Sequence, residues 1–104
     1  MNEIIRGKSF TAEKSWAAKT IANMNGITTR LHWTEKAYQW HVNDGQEVFV
    51  VLDGEVTMHY EKAEVKTSAL LTPGDIFYGA KGTKHSAVPK GEARILVIEK
   101  QGSI

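Results

Sequence analysis

The sequence predicts an all-β domain, an antiparallel sandwich or barrel. About nine short runs rich in β-favouring residues are separated by turn signals every eight to twelve residues or so. Past residue 26 no window holds an apolar period of about 3.6 residues, so helices have nothing to bury. Asn25-Gly26 adds a strong two-residue hairpin signal, because both central positions of a type I′ turn need φ > 0.

Residues 1–15 form an N-terminal arm, in which Ile4-Ile5 is a candidate edge strand and Thr11–Lys14 a turn. Residues 16–104 read as one barrel domain. The hairpin at Asn25-Gly26 joins a strand near Trp16–Ala22 to one near Ile27–Trp33. Tyr38–Asn43 follows, then the turn Asp44-Gly45 and the apolar strand Glu47–Leu52. Asp53-Gly54 reads as a second hairpin, leading into Glu55–Tyr60 with its alternating faces. Lys66–Leu71 is ended by Thr72-Pro73-Gly74-Asp75, since Pro and Gly break ladders and set turns. Ile76–Ala80, the turn Lys81-Gly82-Thr83, His85–Val88 and Ala93–Glu99 complete the series.

Bulk properties narrow the function classes. A chain of 104 residues is one domain that buries roughly two thirds of its unfolded surface. Its formal net charge is +1, with no basic run longer than two residues, which gives nucleic acid and anionic membranes no electrostatic footprint. The absence of cysteine excludes disulfides and thiolate chemistry. The longest apolar run is five residues, so neither a signal peptide nor a membrane span is expected, and the expected location is the cytoplasm.

The residues with chemistry cluster in two places. His41 and Asn43 have the same strand parity and project from one face. Glu47 opens the next strand and reaches the same space, while His85 sits on a distant turn. Two imidazoles, a carboxylate and an amide meeting in a small barrel would make a divalent metal site. His32 and His59 lack any such register and are left outside it. Gln39 shares parity with His41, which places it at the pocket mouth, while Tyr38 and Trp40 point the other way. Phe49, Met58 and Tyr60 are candidates for the pocket wall, although core packing explains such residues as readily. Arg30 is the one strand cation able to meet a substrate carboxylate, and its face is open.

The spacing of these residues resembles the two motifs of the cupin superfamily in its minimal single-domain form. The first motif, G-x5-H-x-H-x3,4-E-x6-G, aligns with Glu35, His41, Asn43, Glu47 and Gly54. The second, G-x5-P-x-G-x2-H-x3-N, aligns with Gly74, Ala80, Gly82, His85 and Pro89. Asn43 stands where the family has its second histidine, and Glu35, Ala80 and Pro89 also depart from the pattern.

The resemblance implies an antiparallel jelly-roll barrel, the double-stranded β-helix. It implies a transition metal (Fe, Mn, Ni, Zn or Cu) held by His41, Glu47 and His85, with Asn43 a weak fourth ligand because a neutral amide oxygen is poorer than imidazole. The expected activity is that of a metalloenzyme of oxygenase, isomerase or lyase type acting on a small organic molecule. The competing reading is a binding or sensing barrel without metal. A homodimer is expected, since three tryptophans in so short a chain suggest an apolar subunit contact.

Overall fold

The computed structural model describes residues 2–103. Seven strands form in chain order: β1 (Ala18–Met24), β2 (Ile27–Thr34), β3 (Tyr38–Val42), β4 (Glu47–Lys62), β5 (Val65–Leu71), β6 (Ile76–Gly79) and β7 (Lys84–Lys100). Every pairing is antiparallel. The sheet order is β1-β2-β7-β4-β5, with β3 added to β7 and β6 to β4.

Two long strands organise the barrel. The first half of β4 pairs with β6 and with the second half of β7, while its second half pairs with β5 and the first half of β7. Each long strand therefore passes from one sheet to the other, closing a jelly roll. The core between the sheets is packed from Phe49, Val51, Val56, Met58, Ala87, Ile95 and Val97, all buried. Burial of such side chains is the main favourable term holding the sheets together.

The expected hairpin at Asp53-Gly54 is not formed. The chain runs straight on, and the β4–β7 register shifts on either side of Asp53 instead. Gly54 has φ 82, and a Cβ there would run into the Glu92 carbonyl and the Ala93 backbone. Asp-Gly thus marks a bulge that bends one strand between two sheets rather than a reversal. The same bend joins His85–Val88 to Ala93–Glu99, so two pairs of expected strands become β4 and β7.

The Asn25-Gly26 hairpin is present, with φ 55 and 89 at its central residues. A second tight hairpin, between β4 and β5, is built on Ala63 and Glu64, at φ 51 and 65. Neither residue favours the left-handed region, and sequence alone gives this turn no signal.

Ile4-Ile5 forms no strand. The arm carries a single 3-10 turn, Gly7–Ser9, and lies against the outer face of the barrel. Gly7 approaches the Leu52 and Leu31 side chains, and the Phe10 carbonyl accepts a 2.8 Å hydrogen bond from Arg94 Nε. This cover lies over Leu31 of β2, which is buried together with Trp33, and the opposite side of β2 faces the interior with polar residues.

Candidate functional site

A cavity of about 150 Å³ opens between the two sheets, lined by Trp16, Arg30, His32, Tyr38, His41, Glu47, Phe49, His85, Ala87, Val97, Glu99 and Ser103. His41 and His85 are directly paired across β3 and β7, which sets their imidazole centroids 4.1 Å apart. Glu47 enters from β4, and its Oε1 lies 3.0 Å from His85 Nε2. Both Glu47 and His85 are buried. Three residues remote in the sequence therefore meet at one end of one cavity.

The tautomers follow from the backbone. His41 Nδ1–H donates to the Gln39 carbonyl at 3.1 Å, and His85 Nδ1–H donates to the Thr83 carbonyl at 3.4 Å. In a neutral imidazole the other nitrogen, Nε2, then presents a lone pair. Burial holds the His41 imidazole below its ordinary value, opposed in part by the hydrogen bond to Gln39. Burial likewise lowers His32, whose Nδ1–H donates to the Trp16 carbonyl at 2.9 Å.

The pair Glu47 and His85 is close but not aligned as a hydrogen bond, and Glu47 Oε1 is buried with no hydrogen-bond partner among the described residues. A carboxylate oxygen and an imidazole lone pair facing one another repel unless a positive charge lies between them. Their 3.0 Å spacing suits two donor atoms sharing one metal ion with bonds of about 2.1 Å. The carbonyl partners on both Nδ1 atoms are the usual outer support of metal-bound histidines. At these two positions the donors fit a divalent metal. Among the described residues, no group of three His, Cys, Asp or Glu side chains could hold a metal ion as it stands, so His41 is a neighbour of this pair rather than a third ligand in place.

Asn43 does not line the cavity. It is buried, its backbone N–H donates to the Thr83 carbonyl at 2.9 Å, and its carbonyl accepts from Gly82 N at 2.8 Å. Its side chain packs on Gly79, where an added Cβ would lie 2.5 Å from Nδ2. The amide thus occupies the space between the β3–β4 and β6–β7 turns.

Of the four expected wall residues, Phe49 lines the cavity. Met58 is wholly buried in the core, and Tyr60 packs at its margin against Phe77 at 5.3 Å between centroids. Gln39 is exposed. Strand parity fails there because the β3–β7 register shifts between Tyr38 and His41. That irregularity turns Tyr38 inward, with its ring edge-on to His41 at 4.9 Å, and turns Gln39 out.

Of the polar wall residues, His32, Glu99 and Ser103 escape a sequence reading, and Arg30, whose face the sequence left open, lines the cavity. Arg30 and His32 share parity on β2, but the alternate residues Leu31 and Trp33 are apolar, and alternation alone would turn those inward. Glu99 sits opposite Glu47 across β4 and β7. Burial, followed by the Glu47 carboxylate, pushes the Glu99 carboxyl up to about 7, against the pull of the Arg30 guanidinium. Ser103 closes the cavity from the last turn. Trp16 also lines it, Trp33 is buried, and Trp40 is half exposed.

Solved structures share this architecture. A cupin-2 domain containing protein from Shewanella frigidimarina NCIMB 400 matches with 27% identity over 86% of this chain and 85% of its own, at a TM-score of 0.76. A cupin superfamily protein from Desulfitobacterium hafniense DCB-2 matches with 15% identity over 95% and 90%, at a TM-score of 0.78. The hydroxypropylphosphonic acid epoxidase of S. wedmorenis is more distant, with 18% identity over 71% of this chain and 43% of its own, at a TM-score of 0.63. Structures of HppE include an Fe(II) form and a Co(II) complex with substrate. No curated protein matches this chain. The Cupin_2 model, a cupin domain, matches residues 30–99, which is most of the chain and spans every strand from β2 to β7, and the protein therefore belongs to the cupin family.

Proposed function

We propose that this cupin binds a divalent transition metal through His41, Glu47 and His85 and acts on a small organic molecule held in the adjoining cavity. The observation that carries this is the unaligned 3.0 Å contact between Glu47 Oε1 and His85 Nε2, with both histidines oriented by carbonyls so that Nε2 is the free donor. A side-chain rotation of His41 would have to bring its Nε2 to the pair; its ring lies tilted beside that of His85, with centroids 4.1 Å apart. Two histidines and one carboxylate leave open positions on such a metal, which when bound supplies Lewis-acid or O2 chemistry. The chain's own contribution is to orient the ligands, to exclude water with Phe49, Val97 and Ala87, and to hold a proton at Glu99. The HppE structures with Fe(II) and Co(II) support the metal but not the substrate.

Metal content of protein purified without chelator tests this reading, together with His41→Ala and His85→Ala. About one equivalent in the parent and loss in both variants is expected. No metal under any loading condition would overturn it.

A second reading is a non-catalytic binding barrel. It is supported by the incomplete gathering of His41 and by the Asn43 amide packing on Gly79 rather than in the cavity. It predicts stabilisation by a small molecule with no metal present.

The assembly proposed is a homodimer. Trp40 and Val42 of β3 and Val88 of β7 leave apolar surface exposed, and a monomer by light scattering at micromolar concentration would exclude it. No helix among the described residues is long and apolar enough to cross a membrane; residence in the cytoplasm is part of the proposal.

A further inference from the structure

Arg30 forms no direct ion pair among the described residues, although its guanidinium acts on the Glu99 carboxyl across the cavity. It lies on β2 between Thr20 of β1 and Val97 of β7, and it lines both the candidate site and a neighbouring cavity of about 200 Å³. Among the described residues it belongs to no salt bridge, and its Nε is buried with no hydrogen-bond partner. Ser103 Oγ, which lines the same two cavities, is likewise buried and unpartnered among them. Two orphaned donor atoms, Arg30 Nε and Ser103 Oγ, therefore line the same pocket, and buried N–H and O–H groups without acceptors are costly unless a ligand supplies them.

The rest of the wall defines what that ligand carries. Trp16, Tyr38, Phe49 and Val97 give the cavity an apolar and aromatic body. The single guanidinium suits a planar monoanion, which its fork can bind with two parallel hydrogen bonds. A phosphate dianion is disfavoured relative to a monoanion, because its second charge meets the Glu47 and Glu99 carboxyls and neither a lysine nor a second arginine lines the cavity to balance it. We propose that Arg30, assisted by Ser103, binds the carboxylate of a small organic acid whose apolar body lies against Phe49 and Val97. This assignment rests on the reading of the cavity as a substrate pocket and names the substrate class for it. It does not depend on whether a metal is bound.

The test uses metal-free full-length protein and follows thermal stabilisation and calorimetric binding with isobutyrate and benzoate, with benzamide and inorganic phosphate as controls. Saturable binding of at least one carboxylate is expected, with benzamide and phosphate much weaker. Arg30→Met should weaken carboxylate binding at least about tenfold and Arg30→Lys less, since a point charge loses the paired hydrogen bonds. Ser103→Ala should weaken it a few fold, and this variant serves if Arg30→Met does not fold. Metal content of Arg30→Met should equal that of the parent, which separates the two claims. Loss of metal in His41→Ala and His85→Ala with carboxylate binding unrelated to Arg30 sinks only the present proposal. Carboxylate binding that needs Arg30, in protein that never takes up metal, sinks only the metal. Equal binding of benzoate and benzamide, tighter binding of phosphate, full binding by Arg30→Met, or no binding up to about 10 mM would each overturn it.

Discussion

Glu47 and Glu99 face each other directly across β4 and β7, and both carboxyls are buried. Like charges opposite one another on an antiparallel pair destabilise it, and burial raises the cost of ionising both. Glu99 answers by holding its proton up to about pH 7. Arg30, Asp44 and His85 also act on it, the first and last favouring ionisation and Asp44 opposing it.

The sign of the resulting pH dependence follows. Glu99 binds its proton more tightly when folded than at its ordinary 4.5, so the stability it contributes is fully present below about pH 4.5 and is lost as pH rises through about 7. Each tenfold gain in proton affinity is worth about 1.4 kcal/mol, so the loss is at most a few kcal/mol. Glu99→Gln should remove this slope and make the metal-free protein more stable than the parent near pH 8. Urea denaturation at pH 5 and 8 measures it, and parallel behaviour of the two proteins would refute the assignment.

Metal loading should stabilise the fold. Mn(II), Ni(II) or Zn(II) at about 100 times its Kd contributes about 2.7 kcal/mol, and the melting temperature rises accordingly. EDTA should reverse the rise, and Glu47→Ala or His85→Ala should abolish it. The effect should weaken as pH falls, because protons compete with the metal for its ligands. A melting temperature indifferent to every metal tried counts against the proposed ligands.

The β4–β5 hairpin stores removable strain. Ala63 and Glu64 both occupy the left-handed region, at a cost of about 1 kcal/mol each for residues with a Cβ. Replacing them with Asn-Gly, the pair used at residues 25 and 26, should stabilise the protein by about 1 kcal/mol. Chemical denaturation reads the gain, and an unchanged midpoint would mean that the turn is not strained in solution.

Two glycines with positive φ should respond differently to alanine. At Gly26 an added Cβ meets nothing within 4 Å, whereas at Gly54 it meets the backbone of Glu92 and Ala93. Gly26→Ala should cost about 1 kcal/mol from its backbone conformation alone. Gly54→Ala should cost clearly more, about 3 kcal/mol or above, because backbone cannot step aside. Equal losses in the two variants would show that the bulge at Gly54 is looser than its packing implies.

Strand content and the Asn25-Gly26 turn were legible in the chain because they rest on local propensity, and motif spacing picked out His41, Glu47 and His85, which line one cavity. Reading Asp53-Gly54 as a hairpin failed for a definite reason. A glycine at positive φ serves a reversal and a bulge equally well, and what distinguishes them is the distant partner β7, which continues alongside. Gln39 was misplaced by one irregularity in the β3–β7 ladder, and a slip of one residue exchanges the two faces of a strand.

The inward face of β2 shows the same division most clearly. Leu31 and Trp33, alternate apolar residues of β2, are buried, and strand alternation alone cannot say against what. In the folded protein the N-terminal arm packs on Leu31 from outside, and Arg30 and His32 line the cavity. Turn spacing and apolar patterning specify an all-β domain, and the motif resemblance points to a cupin, as the family match bears out. The chemistry of the remaining wall depends on which sheet face residues distant in sequence happen to cover, because burial is a property of neighbours in space rather than of neighbours along the chain.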